Sequence, residues 1–144
     1  MVEELGRKPK VFISHASPEL WVAKQLEAIA QSCGADTFLD VRNIDHGDDF
    51  EERIVKEAED STELLVLFTP IASDRKYVWL EIGMFFGARK RIVVALYGVS
   101  KAEIAKDHLT PLVLKKLDSV DLNDIDSYFN QLKGRVESWR KQNG

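Results

Sequence analysis

The sequence predicts an α/β protein with a flavodoxin-like three-layer fold, in which helices cover both faces of a five-stranded parallel sheet. Two observations predict this class. Segments typical of strands and of helices alternate five times along the 144 residues. The runs 64–68 and 91–97 are apolar throughout, as in central parallel strands that are buried on both faces. Such alternation implies right-handed crossovers, and five strands suit the order 2-1-3-4-5.

The composition is that of an ordinary globular domain, with 44% hydrophobic and 31% charged residues. At this length we expect a single domain over residues 10–142, after a polar and flexible N-terminus at 1–9. The net charge of -4 argues against direct nucleic-acid binding through phosphate contacts. No apolar run reaches membrane-spanning length, so no membrane partner is expected. The single cysteine, Cys33, cannot form an internal disulfide, which indicates a reducing, cytoplasmic location.

The first half of the chain contains two strands and two helices in alternation. A β-branched and aromatic run, 10–14, predicts the first strand. Ser17 then suits the N-cap of a helix that Gly34 ends. A second strand is expected at 35–40, and an amphipathic helix capped by Asp48 follows it.

The second half continues the alternation around the two apolar strands. A helix fits between these strands, over residues 74–88. After the second apolar strand, Ser100 and Glu103 have capping-box spacing and predict a short helix. A short edge strand at 120–122 and an amphipathic closing helix from Asp124 complete the predicted domain.

The carboxyl edge of the predicted sheet is the expected place of a binding site. In parallel sheets of this order, ligands bind beyond the strand ends at the switch point between strands 1 and 3. Three turns meet there, at 14–17, 40–47 and 69–73. The next helix starts beside them and carries Glu81, a lone acid within the apolar run 77–88. A carboxylate in such surroundings costs free energy unless it has a partner or a function.

The helix also places an aromatic ring beside this acid. Tyr77 lies four residues before Glu81, so both side chains share one helix face, whereas Trp79 points to a different face. The alternative for the acid is a structural salt bridge with a nearby cation, for which the candidates are Arg75, Arg89 and Lys90.

Several enzyme classes lack their motifs in this chain. The turn after the first strand is Ser-His-Ala-Ser, not a glycine-rich dinucleotide fingerprint, and no GxxxxGK[ST] phosphate loop is present. There is no HExxH motif, and His15, His46 and His108 lack metal-ligand spacing, so no metal site is expected. A phosphoacceptor receiver domain needs acids directly after strands 1 and 3, where this chain has none.

Three segments together resemble the TIR (Toll/interleukin-1 receptor) domain family. Residues 10–16, Lys-Val-Phe-Ile-Ser-His-Ala, are similar to its first strand and the polar turn after it. Residues 38–54 resemble its second strand, its long loop with a glycine and the next helix. Residues 64–81 resemble its third strand and the helix that carries an acid. The resemblance covers the chain from about residue 10 to residue 98.

Some members of this family cleave NAD+, and the resemblance implies the same activity here. NAD+ is then a substrate that releases nicotinamide and yields ADP-ribose or a cyclic isomer, and no resident cofactor is implied. In those members a glutamate at the position of Glu81 is catalytic, and a tryptophan stands where this chain has Tyr77. The substrate-binding residues that the resemblance implies are Ser14, His15, Ala16, Asp40, Asn43 and Tyr77.

The resemblance also implies protein partners. Members of the family self-associate through the loop that corresponds to residues 41–47, and this assembly completes the pocket. It follows that a sensor or regulatory protein triggers assembly, and that the biological role is immune or antiviral defence.

Two other functions fit the same observations. In the first, the chain is a non-enzymatic TIR adaptor that binds other TIR domains, and Glu81 is dispensable. In the second, it is a nucleotide-processing enzyme of similar fold, such as a nucleoside deoxyribosyltransferase, in which the glutamate acts as a nucleophile.

Overall fold

The computed structural model describes residues 6–41, 50–106 and 117–144, with all their side chains except those at positions 50 and 51. The predicted flexibility of residues 1–5 and the predicted cap at Asp48 lie outside the described residues. None of the helices in these three segments is long and apolar enough to cross a membrane.

Five parallel strands form one sheet in the order β2-β1-β3-β4-β5, which confirms the predicted topology. β1 and β3 are neighbours at the point where the strand order reverses, and Ser14 at the end of β1 pairs in register with Val66. The strands are β1 (Lys10–Ser14), β2 (Asp36–Leu39), β3 (Glu63–Phe68), β4 (Arg91–Leu96) and β5 (Asp118–Asp121).

The helices lie between the strands in sequence, as the alternation predicts. The helices are α1 (Leu20–Ser32), α2 (Phe50–Asp60), α3 (Lys76–Gly87), α4 (Lys101–Lys106) and α5 (Asp126–Asn143). Short 3₁₀ turns at Ser17–Glu19 and Ala72–Asp74 precede α1 and α3.

Apolar side chains on the two faces of the sheet form two separate cores. On one face, Phe12 contacts Phe38 and Phe85 with ring centroids 5.0 and 5.3 Å apart, in a cluster that includes α2, α3 and α4. On the other face, side chains of α1 and α5 pack on alternate residues of the same strands, including Leu65 and Leu67. Every residue of β3 is buried, which explains its continuous apolar sequence.

Of the three predicted helix-end signals that lie within the described residues, two are confirmed and one is wrong. Gly34 ends α1 with a φ of 94°, and the Glu103 N–H donates to Ser100 Oγ over 3.1 Å. Ser17 does not cap α1, because a 3₁₀ turn with Ala16 as its N-cap comes first. Instead, the Ser17 N–H donates to the hydroxyl of Tyr77. Ser17 Oγ, the atom that would have accepted the capping hydrogen bond, lies 3.4 Å from the same hydroxyl.

A buried carboxylate joins the amino end of the sheet to the closing helix. Glu63 begins β3 and is 3% exposed. Its Oε2 accepts hydrogen bonds from the Tyr128 hydroxyl (2.8 Å) and from Arg135 Nη2 (2.6 Å). Burial raises the pKa of Tyr128 well above its ordinary value of 10.0, and the negative charge of Glu63 raises it further.

We expect Tyr128→Phe to lower the free energy of unfolding by about 1 to 2 kcal/mol at neutral pH, because Glu63 loses one of its donors. As the pH rises above about 10, Tyr128 of the unfolded chain loses its hydroxyl proton, whereas Tyr128 of the folded wild type keeps it because its pKa is raised. This contribution to stability is therefore complete below about pH 10 and is lost as the pH rises through the raised pKa of the folded state. Urea unfolding between pH 7 and 11 measures both effects. Equal pH slopes for wild type and variant above about pH 10 would contradict the assignment.

Candidate active site

The turn after β1 lies at the carboxyl edge of the sheet, beside the end of β3. Ser14 is the last residue of β1 and occupies the same side of the strand as Phe12, toward α3. In α3, a buried stripe of Val78, Ile82 and Phe85 packs on the sheet. The switch point that the topology predicts is thus bordered by this turn and by α3.

Glu81 lies at the border of the buried stripe of α3, so the packing of the helix carries its carboxylate into the protein. The residue is 1% exposed. Ser14 Oγ donates to Glu81 Oε1 over 2.6 Å, a short bond of the kind that hydroxyls make with charged acceptors. This donor compensates in part for the lost hydration of the carboxylate. The sequence singled out Glu81 as an unusual acid, and the structure adds a hydroxyl donor that binds it.

Two aromatic residues near Glu81 have different surroundings. The Tyr77 hydroxyl accepts a hydrogen bond from the Ser17 N–H (3.1 Å) and lies 3.4 Å from Ser17 Oγ, so the ring connects α3 to the turn after β1. The Trp79 indole N–H donates to the Ser73 carbonyl over 2.9 Å, and its ring packs edge-on against Phe68 at 5.6 Å. Tyr77 is therefore the aromatic side chain that contacts the turn, while Trp79 supports the apolar core.

His15 connects the ends of β1 and β2. The residue is 5% exposed, with Nδ1 2.8 Å from the Ala16 carbonyl oxygen and Nε2 3.0 Å from the Asp40 carbonyl oxygen. Asp40 follows β2 directly and is 7% exposed. The side chain of Ala16 is buried in the apolar core, and its carbonyl also accepts the Glu19 N–H at 2.9 Å. The turn thus holds the end of β2 through backbone oxygens.

The structure brings most of the predicted site residues to one edge of the sheet. Ser14 and Glu81 bind each other, and so do His15 and the Asp40 backbone. Tyr77 reaches the same turn through Ser17. Asn43 and most of the predicted 41–47 interface lie outside the described residues.

A further contact at this edge involves two residues that the sequence did not single out. Thr69 Oγ1 donates to Glu19 Oε1 over 2.5 Å and accepts the Ala72 N–H over 3.0 Å, which joins the end of β3 to the 3₁₀ turn before α1. Thr69 and Glu19 are 50 positions apart, and no local pattern connects them. Within the parts of the chain that the structure describes, no three His, Cys, Asp or Glu side chains are grouped so that they could hold a metal ion.

Comparison with known proteins places this chain in a family. The TIR domain family matches residues 11–134, so the chain belongs to the TIR domain family. Among individual relatives, it is 29% identical over 97 residues to BdTIR of Brachypodium distachyon, named as a probable 2′ cyclic ADP-D-ribose synthase. The match covers 66% of this chain and 43% of the plant protein, so the chain spans less than half the length of that relative.

Solved structures of low sequence identity share the fold. The TIR domain of the Toll-related receptor TRR-2 from Hydra magnipapillata superposes with a TM-score of 0.62 at 21% identity, covering 85% of this chain and 97% of that one. The CMP N-glycosidase BcmB of Clostridium botulinum superposes with a TM-score of 0.55 at 16% identity, with the same coverage of 85% and 97%. At these identities the likeness concerns the architecture of the sheet and helices.

The bond between Ser14 and Glu81 can be measured with a double-mutant cycle. We expect Ser14→Ala to lower the free energy of unfolding by about 1.5 to 3 kcal/mol, because a buried carboxylate loses its hydroxyl donor. In Glu81→Ala that donor has no carboxylate to bind, so adding Ser14→Ala costs less, and the coupling energy is about 1 to 3 kcal/mol. Urea denaturation of the four proteins provides the numbers.

The matched control is the exposed acid Glu137 on α5. Ser14→Ala and Glu137→Ala are expected to add, because the two residues lie on different elements and share no partner. If the effects of Ser14→Ala and Glu81→Ala on the free energy of unfolding also add to within about 0.3 kcal/mol, the short contact between them contributes no stability.

Proposed function

We propose that this TIR domain cleaves the nicotinamide–ribose bond of NAD+, with Glu81 as the essential acid. The observation that carries the proposal is the buried Glu81 carboxylate, which Ser14 holds at the carboxyl edge of the sheet. Burial of a carboxylate costs free energy, so a buried acid needs a structural or functional reason. Glu81 lies at the switch point, where ligands bind in sheets of this order, and this position suits a catalytic residue. The name of the plant relative, a probable cyclic ADP-ribose synthase, supports the same chemistry.

The chemistry needs a fixed negative charge more than it needs a strong acid. When the bond between ribose C1′ and the nicotinamide nitrogen breaks, both electrons leave with nicotinamide, which departs as a neutral molecule. The ribose then carries oxocarbenium character, which a carboxylate in a dry site stabilises far better than it could in water. A water oxygen that adds to C1′ and loses a proton gives ADP-ribose, whereas attack from within the same molecule gives a cyclic isomer.

The remaining residues of this edge supply binding and orientation. Ser14 orients the Glu81 carboxylate through its hydroxyl. We assign NAD+ contacts to the turn after β1 and to the start of α3, where Tyr77 offers an aromatic face. The proposed binding set is Ser14, His15, Ala16, Asp40, Asn43 and Tyr77.

The burial of Glu81 supports regulation by assembly. With the residue 1% exposed, a ribose can reach the carboxylate only after the groups that cover it have moved. In the proposed cycle, self-association through residues 41–47 drives this rearrangement, and a sensor or regulatory protein in the cytoplasm triggers it. This requirement for assembly keeps the isolated domain nearly inactive. Such control suits an enzyme of immune or antiviral defence, because the enzyme would otherwise consume the cell's NAD+ continuously.

Glu81→Ala should reduce nicotinamide release from NAD+ by about a hundredfold or more, because it removes the charge that faces the developing cation. Chromatography of NAD+ incubated with concentrated protein measures the products. Glu137→Ala, which removes an exposed acid on α5, should keep wild-type activity. Full activity in Glu81→Ala would refute the role of this acid.

The same experiment separates the rival functions. Absence of nicotinamide release at every protein concentration favours the adaptor function. Cleavage of a nucleoside monophosphate such as CMP in place of NAD+, with a covalent sugar adduct on Glu81, favours a nucleotide N-glycosidase or deoxyribosyltransferase.

Dependence on assembly predicts a particular rate law. The rate per milligram of protein should rise with total concentration, because only associated domains have an open site. Initial rates over about a hundredfold range of concentration, read together with the mass distribution from light scattering, test this relation. Strict proportionality between rate and concentration would exclude activation by self-association.

A further inference from the structure

Thr69 joins the two 3₁₀ turns at the carboxyl edge of the sheet. The residue follows β3 directly and is 1% exposed. Its Oγ1 donates to Glu19 Oε1 (2.5 Å) in the turn before α1 and accepts the Ala72 N–H (3.0 Å) in the turn before α3. Because a backbone N–H only donates and a hydroxyl has a single hydrogen, the direction of both bonds is fixed. One buried hydroxyl therefore connects two segments that lead into different helices.

The turn before α3 also binds the helix that follows it. Its Ser73 N–H donates to the Thr69 carbonyl oxygen over 3.0 Å, and the Ser73 carbonyl oxygen accepts the indole N–H of Trp79 over 2.9 Å. Ala72 of the same turn is buried in the apolar core to which α3 contributes. The start of α3 is thus fixed relative to Thr69 by hydrogen bonds and by packing.

The turn before α1 binds the same helix. Ser17 is the first residue of this turn and Glu19 is the last, and the Ser17 N–H donates to the Tyr77 hydroxyl over 3.1 Å. The contacts therefore form a closed circuit. Its members are Thr69, Glu19, Ser17, Tyr77, Trp79 and Ser73. Connected hydrogen bonds act cooperatively, so the loss of one bond weakens the constraint that the others provide.

The bond between Ser14 and Glu81 spans the same two parts of the protein as this circuit. Ser14 ends β1, and the turn that starts there leads directly into the turn before α1. Glu81 lies on α3, one helical turn after Tyr77. The 2.6 Å bond therefore requires that α3 and the turn after β1 keep one relative position. The bond between Thr69 and Glu19 closes the circuit at the end of β3.

We propose that Thr69 and Glu19 are a pair of positioning residues, which hold α3 against the turn after β1 so that Ser14 binds the Glu81 carboxylate. Neither residue belongs to the proposed NAD+ binding set, and the pair acts through the two 3₁₀ turns. Its effect on catalysis rests on the proposed NAD+ cleavage, whereas its effect on the bond between Ser14 and Glu81 does not. Unfolding and kinetics therefore test it separately.

Unfolding experiments test the pair without any turnover. The coupling between Ser14 and Glu81 in the double-mutant cycle should fall by about half or more in a Glu19→Ala background, because α3 and the turn are less well fixed. Glu19→Gln keeps an oxygen that accepts the Thr69 hydroxyl and should restore the coupling. Thr69→Val should reduce it at least as much as Glu19→Ala, since the Ala72 N–H also loses its acceptor. Unchanged coupling in folded Glu19→Ala overturns the proposal, whether or not the domain cleaves NAD+.

The chain contains a matched control for this pair. Thr37 Oγ1 donates to Glu27 Oε2 over 2.9 Å, so a second threonine and glutamate join β2 to α1 outside the circuit. Glu27→Ala removes a bond of the same kind and should change neither the coupling between Ser14 and Glu81 nor the rate of NAD+ cleavage. Equal losses in Glu19→Ala and Glu27→Ala would indicate a general loosening of the domain and would contradict the positioning role.

Steady-state kinetics tests the role in catalysis. Glu19→Ala should lower kcat for nicotinamide release about tenfold while KM for NAD+ changes by less than about threefold, because a displaced carboxylate affects the transition state more than substrate binding. Glu19→Gln should recover most of kcat. Wild-type kcat in Glu19→Ala, or equal losses in the Ala and Gln variants, would show that the pair does not position the acid. If wild type releases no nicotinamide at all, the proposed function fails, and the unfolding experiment still decides whether the pair supports the bond between Ser14 and Glu81.

Discussion

A buried carboxylate must find a donor, and in this domain the hydroxyl of Ser14 serves Glu81. The bond joins residues 67 positions apart, so it forms only when the first strand and the third helix are both in place. Its geometry depends on the pairing of β1 with β3, which brings Ser14 level with Val66, and on the apolar stripe that presses α3 onto the sheet. The proposed reaction centre is thus a consequence of correct packing.

The turn after β1 connects α3 with the carboxyl ends of β2 and β3. The Ser14 hydroxyl and the Ser17 N–H both bind residues of α3, and the His15 ring contacts the backbone at the end of β2. Glu19, in the 3₁₀ turn that follows, accepts a hydrogen bond from Thr69 directly after β3. The opposite edge has its own buried carboxylate, Glu63, which Tyr128 and Arg135 bind. There an arginine neutralises the acid and fastens the closing helix, which is a structural role.

Membership of the TIR family identifies the scaffold, but the scaffold alone does not decide the function. A Toll-related receptor domain and a CMP N-glycosidase share this architecture with the chain at low identity. Function must therefore be argued from the site. In this chain the site contains one buried acid, the aromatic residue one helical turn before it, and backbone contacts that hold the strand ends around them.

The class of fold, the strand order and the choice of Glu81 as the exceptional acid could all be predicted from the sequence. These features follow from local periodicity, from helix-end residues such as Gly34 and Ser100, and from the cost of a charge in an apolar run. Three contacts became apparent only in the folded protein: Ser14 binds Glu81, the Ser17 N–H donates to Tyr77, and Thr69 donates to Glu19. The physical reason is that these hydrogen bonds connect residues 50 to 67 positions apart. Their partners meet through strand register and helix packing, which no local pattern specifies.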